Sequence, residues 1–97
     1  MKRKPMPHEV NFFADERTAR MSPETFRIRL QQSGFGVTTT SVEDDVVQLV
    51  TNEAVLRLFV EDGLVVEIGA EAKFVNDRRT ERLFEFLTSM GWVAQHD

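Results

Sequence analysis

The stretch "LRLFVEDGLVVEI", residues 56–68, decides the fold. Two aliphatic, β-branched runs flank Glu61-Asp62-Gly63, the chemistry of a tight hairpin turn. Two registers compete. A two-residue Asp62-Gly63 loop pairs Val60 with Val65 and, carried straight on, sets Glu67 opposite Leu58 and Ile68 opposite Arg57. A three-residue loop with Gly63 in a bulge pairs Val60 with Leu64 instead. Leu56, Leu58 and Val60 then share a face with Leu64, Val66 and Ile68. On the other face Arg57 sits across from Glu67, and Phe59 from Val65. The second register separates apolar from charged side chains, so it is the one expected. Its charge pair adds a few tenths of a kcal/mol.

The same reasoning extends to "TNEA" (51–54), where Val50 pairs with Val55 and Val47 and Leu49 join Leu56 and Leu58. "VTTTS", "VVQLVT", "AVLRLFV" and "LVVEIGA" then read as an antiparallel meander with the threonine-rich segment at its edge.

Two helices flank the meander. At "SPETFRIRLQQSGF", Ser22 suits the N-cap, Pro23 the first turn, and Glu24 the positive end of the dipole. Met21 and Phe26 have the spacing of a hydrophobic staple. Gly34 can turn left-handed and let Phe35 fold back on Leu30. At "NDRRTERLFEFLTSMGW", Asn76 or Asp77 caps the start, and Gly91 and Trp92 end the helix in the same way. Leu83, Phe84, Phe86, Leu87 and Met90 occupy one arc of about 160°. The Gly-aromatic pairs admit a duplication, but the segments between them do not align, and shared C-cap physics explains both.

These elements predict a two-layer α+β fold. An antiparallel meander of three to four strands carries two helices, about 22–33 and 77–90, on one face. Ninety-seven residues fit one domain over 8–97, with 1–7 a flexible basic tail. Residues 8–15 are open to three readings: a short strand, an arm over the outer sheet face, or a mobile segment.

Composition narrows the function. The chain has no Cys, which excludes disulfides, thiol catalysis and cysteine metal sites. No apolar run approaches a membrane span, and no apolar stretch follows the basic start as in a signal peptide. A cytoplasmic protein without a membrane partner is expected. Net charge is −4, split into +3 over residues 1–29 and −7 over 30–97.

Motifs for chemistry are missing. His8 and His96 stand at opposite ends, and the run Glu43-Asp44-Asp45 lacks the spacing of a calcium loop, so it reads as a solvated turn. No GxSxG or phosphate loop occurs, and "GFG" (34–36) is a helix end. The expectation is a non-enzyme without metal or cofactor.

Two surfaces remain. The outer sheet face would present Val46, Gln48, Val55, Arg57, Phe59, Val65 and Glu67, which is too apolar for a wetted face. It suits a partner protein, of the adaptor, immunity or inhibitor kind, or a second copy of the chain. The basic stretch carrying Arg17, Arg20, Arg27 and Arg29 supports the alternative, a nucleic-acid-binding accessory protein. Arg78, Arg79 and Arg82 have acidic neighbours at helical spacing and read as a salt-bridged surface.

Overall fold

A computed structural model describes residues 9–73 and 77–95. The elements run β1 (Glu9–Phe13), α1 (Pro23–Gln32), β2 (Val37–Glu43), β3 (Val46–Thr51), β4 (Ala54–Glu61), β5 (Leu64–Ala72), α2 (Arg78–Ser89) and β6 (Val93–Gln95). They form one six-stranded antiparallel sheet in the order β2-β3-β4-β5-β1-β6. The expected meander is β2 to β5, with β2 at the edge. With β1 and β6 the sheet has six strands, where three to four were expected.

Residues 9–13 are therefore a strand, not a cover for the outer face. Phe12 pairs with Ile68 and is 1% exposed on the helix side. β6 then adds to the free side of β1. The basic tail and His8 and His96 lie outside the described residues.

The topology explains why one face is covered. β1 and β2 run the same way and α1 joins them; β5 and β6 run the opposite way and α2 joins them. The two crossovers travel in opposite directions along the sheet. Under the right-handed rule, reversing both strand direction and travel lands both helices on the same face.

The hairpin resolves differently from expectation. Asp62 and Gly63 both have positive φ, 53° and 79°, the geometry of a two-residue mirror-image turn. Val60 pairs with Val65, yet Leu58 still pairs with Ile68, because a bulge separates the two pairs. Val66 and Glu67 together oppose Phe59. The extra residue restores the apolar register that a straight two-residue loop would scatter. Val65 consequently belongs to the core at 0% exposure, while Leu64 is 40% exposed. Val66 is half-buried rather than part of the core.

Two cross-strand rows line the inner face. One runs Val42, Val47, Leu58, Ile68, Phe12, Ala94; the other runs Thr40, Leu49, Leu56, Ala70, Val10. Phe26 and Leu30 of α1 and Leu83 and Leu87 of α2 close over them, all fully buried. Phe84 meets Phe12 edge-on at 5.4 Å, and Phe86 meets Phe35 at 5.5 Å. Met21, ahead of the Ser22 cap, is buried with this set. Ser22 Oγ accepts from the Thr25 N–H, and Asp77 Oδ1 from the Arg79 N–H, so both helices begin where a cap was expected.

Candidate interaction face

The open face of the sheet is built by register. Val46, Phe59, Glu67, Phe13 and Val93 pair in turn across β3, β4, β5, β1 and β6. They make a transverse row, apolar except at Glu67, and Glu43 of β2 extends it beyond Val46. Behind it lies Ser41, Gln48, Arg57, Gly69, Asn11, Gln95, and then Thr39, Val50, Val55, Glu71, Glu9. No described helix covers these rows. Val93 is 46% exposed, and Val46, Phe13, Val55 and Phe59 are half-buried.

Phe59 gains part of its cover from a glycine. A Cβ on Gly69 would stand 3.7 Å from Phe59 Cε2, so the ring leans across the bare backbone of the next strand. Arg57 lies opposite Gly69 rather than Glu67. Its guanidinium reaches Glu71 at 3.6 Å and Glu9 at 3.9 Å. All three side chains are more than a third exposed, so these pairs contribute at most a few tenths of a kcal/mol each. They fix the arginine's direction more than they stabilise the fold.

Of the residues expected on this face, Val46, Gln48, Val55, Arg57, Phe59 and Glu67 are there together. Val65 is not; the bulge turns it inward. Phe13, Asn11, Gly69, Glu71, Glu9 and Val93 also lie on the face and were not anticipated there. The alternation in "VNFF" held the signal for Phe13: if Phe12 points inward, Phe13 points outward.

The basic stretch does not form one patch. Arg17 and Arg29 line an open cleft of about 780 Å³ beside the C-terminal end of α2, together with Asp15 and Trp92. Arg27 instead pairs with Glu24 one turn back and donates to Gln31 Oε1 at 3.2 Å. It borders a different groove, with Thr40, Val42 and Val47. Arg20 is exposed. On α2, Arg79 clasps Asp77 through Nε and Nη2, each at 2.9 Å, and Arg82 lies 5.5 Å above the Phe35 ring.

The Asp15 carboxylate is occupied within its own loop. Oδ1 accepts from the Arg17 N–H at 2.8 Å, and the Thr18 hydroxyl donates to Gly91 O at 2.6 Å. That loop thereby clamps the end of α2. Among the described residues no group of three or more His, Cys, Asp or Glu side chains is placed to share a metal ion, and no helix is long and apolar enough to cross a membrane. No family model matches the chain, and neither a curated protein nor a solved structure matches it at a significant level.

Proposed function

We propose that the protein is a non-catalytic module that binds another protein through the open face of its sheet. The observation that supports this reading is the row Val46, Phe59, Phe13, Val93, which crosses the sheet with no described element over it. Phenylalanines and arginine are among the residue types enriched at interfaces.

Charge defines the partner. Outward strand positions carry Glu9, Glu43, Glu61, Glu67 and Glu71 against a single guanidinium, Arg57, which two of those carboxylates already hold. Two such faces pressed together would set like charges against each other, so this face suits a different protein with an apolar centre and a basic rim. An adaptor, immunity or inhibitor role in the cytoplasm fits that chemistry.

Comparing what the immobilised chain, Phe59→Asp and Val93→Asp each retain from a host extract tests the reading. Loss of the anchor should cost about 2 kcal/mol or more of binding. Circular dichroism checks that each variant stays folded. Folded variants that retain the same proteins at the same level would refute it.

A second reading draws on Arg17 and Arg29 sharing one cleft. It makes the protein a nucleic-acid accessory, and it requires affinity that falls steeply with salt. Binding to single- or double-stranded oligonucleotides that is absent, or indifferent to salt, removes it.

A further inference from the structure

The sheet has two ends, and only one of them is guarded. β6 is three residues long, too short to template another chain. β2 is seven residues long, and six of the seven are exposed. A bulge at Thr38 interrupts its start and Glu43 marks its finish. Between them Thr39-Thr40-Ser41-Val42 has neither charge nor proline, the usual defences of a free edge. No described residue pairs with its outer side.

The flank of this edge is apolar. Val42 points to the helix side of the sheet but is 70% exposed. A groove of about 300 Å³ runs there between β2, β3 and the first turn of α1, with Pro23, Val47 and Leu49 among its walls. An added strand would drop alternate side chains into that groove.

Charge identifies the strand that fits. The turn after β2 is acidic, with Glu43, Asp44 and Asp45. The approach to β2 from the other end passes Phe35, and Arg82 stacks on that ring. An antiparallel copy of β2 reverses these ends. The acidic turn of each chain would meet the Arg82 end of the other, twice over, about a two-fold axis. Centred on Thr40, the midpoint of the strand, the contact sets Thr39 opposite Ser41 and brings Glu43 to the bulged Val37 end of the other copy. Hydroxyl-bearing side chains would then face each other across the new ladder.

The geometry points to self-association of this chain through β2, joining two six-stranded sheets edge to edge into one continuous sheet. The contact leaves both open faces free, so it does not depend on the role proposed for them.

Sedimentation of the full chain over a concentration series tests it. The wild-type chain should pass from monomer to dimer. Val42→Lys adds a charge at an exposed position that the monomer tolerates, and should weaken the dimer about tenfold or more. Val42→Thr should retain it. Glu43→Lys and Arg82→Glu should each weaken it, and the double variant should recover it. Hydrogen exchange should protect β2 amides in the wild-type dimer and not in Val42→Lys. Phe59→Asp should leave the dimer intact. A wild-type chain that stays monomeric throughout overturns the inference. So does a dimer that survives Val42→Lys or is lost with Phe59→Asp.

Discussion

Helices α1 and α2 terminate through the same six-residue device. In α1 the Phe35 N–H donates to Leu30 O at 2.9 Å and the Gly34 N–H to Gln31 O at 3.1 Å. In α2 the Trp92 N–H donates to Leu87 O at 3.2 Å and the Gly91 N–H to Thr88 O at 2.9 Å. Both glycines have nearly the same positive φ, 94° and 93°. Their surroundings differ. Around Gly34 a Cβ would meet nothing within 4 Å, whereas at Gly91 it would lie 2.6 Å from Arg17 O and 2.8 Å from Thr18 Cα. One glycine only ends a helix. The other also lets the loop after β1 lie directly against the helix end, held by Thr18 Oγ1 and by the Ala19 N–H on Met90 O. The lesson is that a local motif sets where a helix stops, while tertiary docking sets how much that stop matters.

The largest expected effect separates these two roles. Gly34→Ala meets only the left-handed strain, about 1–2 kcal/mol. Gly91→Ala meets the same strain and a backbone clash that no rotamer change relieves, a further 1–3 kcal/mol or so. Thermal unfolding of the two variants measures the gap directly. Equal losses would mean that the Arg17–Thr18 loop yields, and that the docking is soft.

The aromatics after the glycines sharpen the comparison. Phe35 and Trp92 are both buried, at 3% and 1% exposure. Phe35 has ring partners in Phe86 and Arg82, whereas the Trp92 indole N–H is buried with no hydrogen-bond partner among the described residues. A buried unpaired donor costs about 1–3 kcal/mol. Trp92→Phe removes that donor while opening a small void, and the two should nearly cancel, leaving a change within about 1 kcal/mol. A loss of about 3 kcal/mol or more would show that the indole has a partner, since such a loss exceeds what the void alone explains.

The helices and the meander were legible because their signals are local. Caps, glycines and alternation each act within a few residues, as at Ser22 to Thr25 and at Val50 opposite Val55. A strand at β1 was one of three open readings, but its place in the sheet and the existence of β6 were not legible, for the opposite reason. Glu9 pairs with Glu71 and Val93 with Phe13, so no turn lies between partners to announce either pairing. The bulge at Val66-Glu67 is hidden in the sequence because each candidate register, unbroken, satisfies only the turn or only the apolar pattern. The two-residue turn and the apolar register are both satisfied only when an extra residue stands between them. The open face was therefore readable from β3 and β4, misread at Val65, and incomplete on the β1 side.

The smallest effect lies at the other ends of the helices and depends on pH. Ser22 caps α1 with a neutral hydroxyl, and Ser22→Ala should cost about 1 kcal/mol at any pH. Asp77 caps α2 with a carboxylate that accepts from the Arg79 side chain and from the Arg79 N–H, which hold its pKa down at about 2 instead of 3.8. A depressed folded pKa means that the unfolded chain takes up the proton first as pH falls. The cap's contribution is complete above the ordinary carboxylate range. It fades as pH drops through 3.8 toward 2, while that of Ser22 stays constant. Asp77→Asn keeps an acceptor at the N-cap and should abolish only the pH-dependent part. Subtracting its unfolding curve from that of the wild-type chain between neutral and acid pH isolates the effect. An Asp77 carboxyl that titrates at 3.8 by NMR would show that neither the Arg79 clasp nor the bond to the Arg79 N–H persists in solution, and that Ser22 alone acts as a cap.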